Sequence, residues 1–254
     1  MEIELVSFRY NMRAQKRLRL VVKLVNHSQS DLIVFCGYSI ISEDSIPDLQ
    51  KMLENKTSTV LFEVSNTVDG KDTKGLFIIK KGKILNLHTS QLFVDSKDID
   101  KNEALGERYI NELETRRCFQ VDDKSCMVIQ CGENNIIRNI QNEKNRPVFR
   151  FQKRPDLEDR FKKLLRETDI ILNPIHTPMG NQGKMQKRRE YLSADGRYYF
   201  SVSQNGTRKY KGEYYDIDIK SDSLQYGYHD GKPIIKYEYD PEACDDYQRR
   251  VYII

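Results

Sequence analysis

The sequence predicts an α/β fold in which two layers of strands are covered by helices. Three observations carry it: the chain opens strand then helix, its middle switches to strand-turn-strand, and a helix-strand rhythm returns from Pro155.

Glu2 to Phe8 alternates around Ile3, Leu5 and Ser7 and reads as the first strand. Over Asn11 to Asn26, residues Ala14, Leu18, Val21, Val22 and Val25 recur at the spacing of one buried helical stripe, with Arg13, Lys16, Arg17 and Lys23 on other faces. Asp31 to Phe35 (DLIVF) is almost wholly apolar, the pattern of a strand covered on both faces. Ser45-Ile46-Pro47 starts a helix whose apolar side is Leu49, Met52 and Leu53. Thr57 to Val64 (TSTVLFEV) is rich in β-branched residues and forms the next strand. Asp69-Gly70 and Lys81-Gly82 signal turns, the second joining Gly75 to Ile79 and Lys83 to Leu87 in a hairpin. Asp95 to Glu107 is polar without a period and is expected as a surface excursion. Arg117 to Val121 and Ser125 to Gln130 form a second hairpin around Asp122-Asp123. Pro155 opens a helix with Leu157, Phe161, Leu164 and Leu165 as its stripe, and Asp169 to Leu172 is a strand ending at Asn173-Pro174. Lys184 to Leu192 reads as a helix and Arg197 to Gln204 as a strand.

With 254 residues, 38% hydrophobic and 31% charged, the chain can bury a full core and is neither disordered nor fibrous. The longest apolar runs fall far short of the roughly 20 residues that span a bilayer, and the start lacks a basic segment followed by an apolar one. No membrane partner and a cytoplasmic location are expected. The five cysteines, at 36, 118, 126, 131 and 244, contain no Cys-x-x-Cys unit, which argues against a disulfide framework and a zinc site. The net charge is +4, yet ten basic and four acidic residues lie between Arg138 and Arg166. Within that stretch Arg146, Arg150, Lys153 and Arg154 interleave with Phe149 and Phe151, as a nucleic-acid stacking surface does; the alternatives, which the alternating charge favours, are a solvated helix face and an edge strand whose apolar residues point inward.

Several landmarks, in order, resemble the nitrilase, or carbon–nitrogen hydrolase, superfamily: the opening strand and helix, DLIVF, the hairpin with GKIL, a strand into Cys131-Gly132-Glu133-Asn134, and DIILNP at Asp169 to Pro174. The resemblance implies a four-layer αββα sandwich over residues 1–206, assembled as a homodimer or larger homo-oligomer. Residues 207–254 then form a Tyr-rich C-terminal extension, packed on the same domain or in an oligomer contact. It also implies hydrolysis of non-peptide amides or nitriles by a Cys nucleophile, a Glu base and a Lys that stabilises the oxyanion, with no metal and no organic cofactor.

Cys131 falls on the nucleophile position, but Gly37 stands where the Glu is expected and Thr89 where the Lys is expected. A thiol must lose a proton to attack, so another base is needed. His176, just past DIILNP, is the candidate to activate Cys131; a surface or capping histidine in the turn is the competing role. Glu43 and Glu63 are further carboxylates that could serve, against their ordinary roles as solvated or paired groups. Glu133 matches the acidic residue the family keeps near the nucleophile, where it orients the loop, or it is a helix N-terminal charge ahead of Asn134 to Ile140. Two functions remain: an amide or nitrile hydrolase working through a Cys131 thioester with an altered triad, or a catalytically lapsed module for binding and oligomerisation. Nitrilase-like domains also accompany bacterial antiviral reverse transcriptases, which would make the lapsed module an accessory in a defence system.

Overall fold

The computed structural model describes residues 1–68, 71–178, 182–210, 213–239 and 245–254. The Asp69-Gly70 turn and Cys244 lie outside the described residues.

The strands of the first half are β1 (Glu2–Phe8), β2 (Leu32–Phe35), β3 (Thr59–Val68), β4 (Lys71–Lys80), β5 (Lys83–Ser90), β6 (Cys118–Val121) and β7 (Lys124–Val128). Beyond them come β8 (Ile137–Ile140), β9 (Arg146–Phe149), β10 (Ile170–Ile175), β11 (Tyr198–Ser203), β12 (Thr207–Tyr210), β13 (Glu213–Asp216), β14 (Gln225–His229), β15 (Lys232–Pro233), β16 (Glu238–Tyr239) and β17 (Tyr247–Ile253). The helices are α1 (Ala14–His27), α2 (Ile46–Met52), α3 (Ser96–Ile99), α4 (Glu103–Arg116), α5 (Pro155–Arg166) and α6 (Gln182–Leu192).

Two sheets form the centre. One has the order β16-β17-β1-β2-β3-β4-β5 and the other β15-β14-β11-β10-β7-β6. β1, β2 and β3 run parallel, as do β7, β10 and β11. Alternation along β7 shows how the layers are stacked. Cys126 and Val128 join the cluster that contains Leu5, Val34 and Leu61 of the first sheet, whereas Met127 and Ile129 join Tyr109, Leu113, Phe161 and Leu164 of α4 and α5. On the far side, α1 sends Val21, Leu24 and Val25 into the first cluster. The result is a four-layer αββα sandwich in which the parallel strands bring their C-terminal ends to one edge.

The structure departs from three local expectations. Residues 95–107 are not irregular: α3 lies there and α4 begins at Glu103, capped by the Asn102 side chain, which accepts from the Leu105 N–H at 3.1 Å. The helix survives a mostly charged surface because Tyr109, Ile110 and Leu113 are fully buried against α5 and the second sheet. Asn134 to Ile140 is not a helix but the end of a 3₁₀ turn (Cys131–Ile136) followed by β8, whose pairing with β9 satisfies its backbone. The basic stretch is not a stacking surface either. Phe149 and Phe151 are buried, while Arg146 pairs with Glu143 and Arg154 with Asp156, Glu103 and Glu107. Lys153 is exposed.

Residues 207–254 contribute strands to both sheets. β17 pairs with β1 from Glu2↔Ile253 to Phe8↔Tyr247, and β14 pairs with β11. Gln225, fully buried, donates from Nε2 to the Leu5 and Gln248 carbonyls at 3.0 Å each. Among the described residues, no helix is long and apolar enough to cross a membrane.

Deleting residues 245–254 strips β1 of its antiparallel partner. The truncated chain is expected to lose cooperative unfolding and collect in the insoluble fraction, which a solubility assay with far-ultraviolet circular dichroism would check.

Candidate active site

β7 delivers Cys131 to the edge where the parallel strands end. The Ile129 N–H continues the ladder by donating to the Leu172 carbonyl at 2.9 Å, and the chain then breaks sharply into the 3₁₀ turn. Cys131 takes φ +26°, a left-handed value that a residue with a Cβ adopts only under constraint. Gly132 explains part of that constraint: a Cβ there would overlap the Val94 carbonyl. The sulfur is largely covered, with the residue 9% exposed, and it accepts from the His176 backbone N–H at 3.5 Å. Burial pushes the thiols of Cys36 and Cys126 up to about 12 and leaves them inert at neutral pH.

His176 follows β10 directly. Its imidazole is buried, and Nε2 lies 2.6 Å from Oε2 of Glu63 on β3. Glu63 has no exposed surface; its Oε1 accepts from Gln130 Nε2 at 2.7 Å and its Oε2 from the Tyr38 N–H at 3.2 Å. Burial alone would lower the imidazolium's pKa, but the Glu63 charge and side-chain hydrogen bonds to Cys131 and Glu63 override it and hold it at about 10. The ring of Tyr38 lies against the imidazole, tilted by 36° with centroids 4.1 Å apart, and the Lys74 ammonium stands 5.4 Å from the Tyr38 ring centroid.

Gly37 is where these contacts meet. A Cβ at position 37 would overlap His176 Cδ2 and stand 3.0 Å from Glu63 Oε2. The imidazole therefore occupies the space that any side chain at 37 would need. The Gly37 backbone fixes the arrangement: its N–H donates to the Ile175 carbonyl at 3.0 Å, and its carbonyl accepts from Gln204 Nε2 at 2.7 Å.

Glu133 and Thr89 belong to a second buried charge cluster. Glu133 forms an ion pair with Arg117, both side chains having no exposed surface, and accepts from the Leu92 N–H at 2.7 Å and the Gln130 N–H at 2.9 Å. Burial alone would lower the Arg117 guanidinium's pKa, and the Glu133 charge holds it above its ordinary value. Arg117 Nε donates to Thr89 Oγ1 at 3.0 Å and Nη2 to the Ser90 carbonyl at 2.7 Å. The carboxylate of Glu133 is thus spent on holding the nucleophile turn to the loop after β5. Glu43 lines an adjoining cavity of about 260 Å³, which it shares with Thr89, Arg108, Glu112 and Arg116.

Of the residues singled out in the sequence, Cys131, His176 and Gly37 meet at one point, and Glu63 is the carboxylate that joins them. Arg117 had no sequence signal beyond an arginine at a strand start. Arg146, Lys153 and Arg154 take no part, and Arg150 lines a separate cavity.

No protein-family model matches the sequence, and no curated protein does. Solved structures do match in shape. A mutant of an amidase from Nesterenkonia sp. AN1, carrying the acetamide moiety of fluoroacetamide covalently at its active-site cysteine, superposes with a TM-score of 0.57 at 9% identity over 99% of this chain and 89% of its own. A CN-hydrolase superfamily protein from Xanthomonas campestris gives 0.52 at 10% identity over 99% of this chain and 90% of its own. A glutamine-dependent NAD(+) synthetase from Cytophaga hutchinsonii gives 0.54 at 10% identity, and this chain spans 40% of it. The chain therefore has the nitrilase, or carbon–nitrogen hydrolase, fold.

Two predictions follow from the charge clusters. Arg117→Met leaves Glu133 buried without a counter-charge and is expected to cost about 3–5 kcal/mol in urea denaturation, with Glu133→Gln restoring part of the loss in the double variant. Because the His176 pKa is raised in the fold, the stability it contributes is complete below its ordinary value of 6.5 and is lost as pH rises through about 10. The gap in denaturation midpoint between the natural chain and Glu63→Gln should accordingly be widest near pH 6.5 and close towards pH 10.

Proposed function

We propose that this chain is a cysteine-dependent hydrolase of non-peptide amide or nitrile groups in which His176 and Glu63 take over the work of the Glu and Lys expected at positions 37 and 89. One observation carries the reading: the imidazole sits in the space made by the missing Cβ of Gly37, between the Cys131 sulfur and a fully buried carboxylate. A triad member lost by drift leaves a gap, whereas here the loss at 37 is filled by a new acid–base group.

The chemistry balances without a cofactor. An imidazolium beside a sulfur favours its thiolate form. The Cys131 thiolate adds to the amide carbon, and the carbonyl π pair moves onto oxygen. As that pair returns, the carbon–nitrogen bond breaks and the His176 imidazolium gives its proton to the departing nitrogen, leaving a thioester and a neutral imidazole. The imidazole then takes a proton from water, the hydroxide adds to the thioester, and the acid leaves as the sulfur–carbon bond breaks. Glu63 orients the ring and balances the imidazolium between steps. The amidase of matching fold, a mutant of which carries the acetamide moiety of fluoroacetamide on its active-site cysteine, supports a reactive thiol in a fold of this kind.

A lapsed module for binding and homo-oligomerisation is the second reading, favoured by the covered sulfur and by the Tyr38 ring packed against the imidazole.

A panel of small amides and nitriles, together with iodoacetamide labelling, separates the two. Cys131→Ala is expected to abolish turnover and the labelling of the peptide that carries position 131, slow labelling at the exposed Cys118 remaining, and His176→Ala to lower kcat/KM by roughly 10²–10⁴-fold. Gly37→Ala should reproduce the His176→Ala defect with Cys131 intact, because the new methyl group expels the ring. Labelling of the natural chain no faster than that of its denatured form would leave the lapsed module as the answer.

A further inference from the structure

Beside the nucleophile turn lies a second cavity, of about 360 Å³, walled by Arg138 of β8, Arg150 after β9, and Lys184 and Arg188 of α6, with Asn135 and Asn139 between them. Lys184 and Arg188, four residues apart, share one helix face. The volume falls in the range of about 300–1,000 Å³ typical of small-molecule pockets.

Its charges are arranged as a receptor rather than a solvated patch. Arg188 is 9% exposed and makes its hydrogen bonds to neutral amide oxygens, Nε to Asn139 Oδ1 at 2.8 Å and Nη1 to Asn135 Oδ1 at 3.0 Å. No carboxylate of the described residues pairs with it, and Nη2 has no hydrogen-bond partner among them. Arg150 donates from Nε to the Asn135 carbonyl at 2.6 Å and meets Asp100 at 3.3 Å, while Arg138 donates to Gln152 Oε1 at 3.0 Å. Burial first, and the Arg150 charge second, pull the Arg188 guanidinium down to about 10. A buried cation crowded by another cation is costly unless an anion completes the set.

We infer that this cavity binds a phosphate-bearing small molecule, a phosphate monoester or a diphosphate, with Arg188 and Arg138 as its principal ligands. Guanidinium forks match phosphoryl oxygens in geometry and supply charge-assisted hydrogen bonds that a monovalent anion cannot fully use. The concave shape and the burial of Phe149 and Phe151 favour a small molecule over a single nucleic-acid strand, whose bases would need an exposed aromatic platform. Asn135 joins the pocket to the nucleophile turn, since its Nδ2 also donates to the Gly132 carbonyl at 2.8 Å. The assignment is independent of whether Cys131 turns over a substrate.

Isothermal titration of the full chain with pyrophosphate and with inorganic phosphate, at ionic strength matched by sodium chloride, tests it. Saturable binding of pyrophosphate at one site per chain is expected, weakened about tenfold or more, the worth of a charge-assisted hydrogen bond, in Arg188→Gln and in Arg138→Gln. Arg138 is exposed, so its variant keeps the test valid if Arg188→Gln fails to fold. Lys153→Gln, on the exposed basic stretch, should leave affinity unchanged. The assignment is overturned by an absence of saturable binding at millimolar pyrophosphate, by undiminished binding in Arg138→Gln, or by an equal loss in Lys153→Gln. Binding of a short single-stranded RNA that pyrophosphate fails to displace would also overturn it, in favour of a polyanion surface.

Discussion

A carboxylate with no exposed surface cannot stay ionised inside a protein without donors around it, and Glu63 is such a group at the junction of the two sheets. Its donors come from three separate segments: the imidazole after β10, the amide of Gln130 after β7, and the backbone of Tyr38 after β2. One buried charge on β3 therefore ties together the ends of three other strands, two of which belong to the opposite sheet. The same contact dictates position 37, where only a residue without Cβ leaves room for the ring.

The Arg117–Glu133 pair plays the complementary part on the other side of the nucleophile. It joins the start of β6, the turn that carries Cys131, and the loop after β5. Thr89, at the position where a lysine is expected, accepts a hydrogen bond from Arg117, which lies between α4 and β6. Positive charge is thus retained near the loop, but it is neutralised by Glu133 and used for structure. In the proposed chemistry the reacting cation is the imidazolium instead, a group that gives a proton in the first half of the reaction and takes one in the second.

Much of the architecture was legible because burial leaves a periodic mark on sequence. DLIVF announces a strand covered on both faces, SCMVIQ a strand of the second hairpin, and the stripe Leu157, Phe161, Leu164, Leu165 the helix that packs on the second sheet. α4 escaped because its buried residues are few and set among charges, and its stability comes from α5 and the second sheet rather than from its own pattern. The stretch Asn134 to Ile140 misled for the opposite reason: its isoleucines fit a helical spacing, yet β9 was available to pair with them.

At the site the division follows the same physics. The sequence by itself determined the order of elements, the place of Cys131 directly after an apolar strand, the absence of a side chain at Gly37 and of a cation at Thr89, and the presence of a histidine beyond DIILNP. Only the tertiary structure decided that Glu63 rather than Glu43 meets His176, and that Glu133 is taken up by Arg117. Glu63 and His176 are 113 residues apart, on different sheets. Local periodicity records which face of a strand is covered; what covers it is settled when two sheets pack and every buried charge has to find its partner.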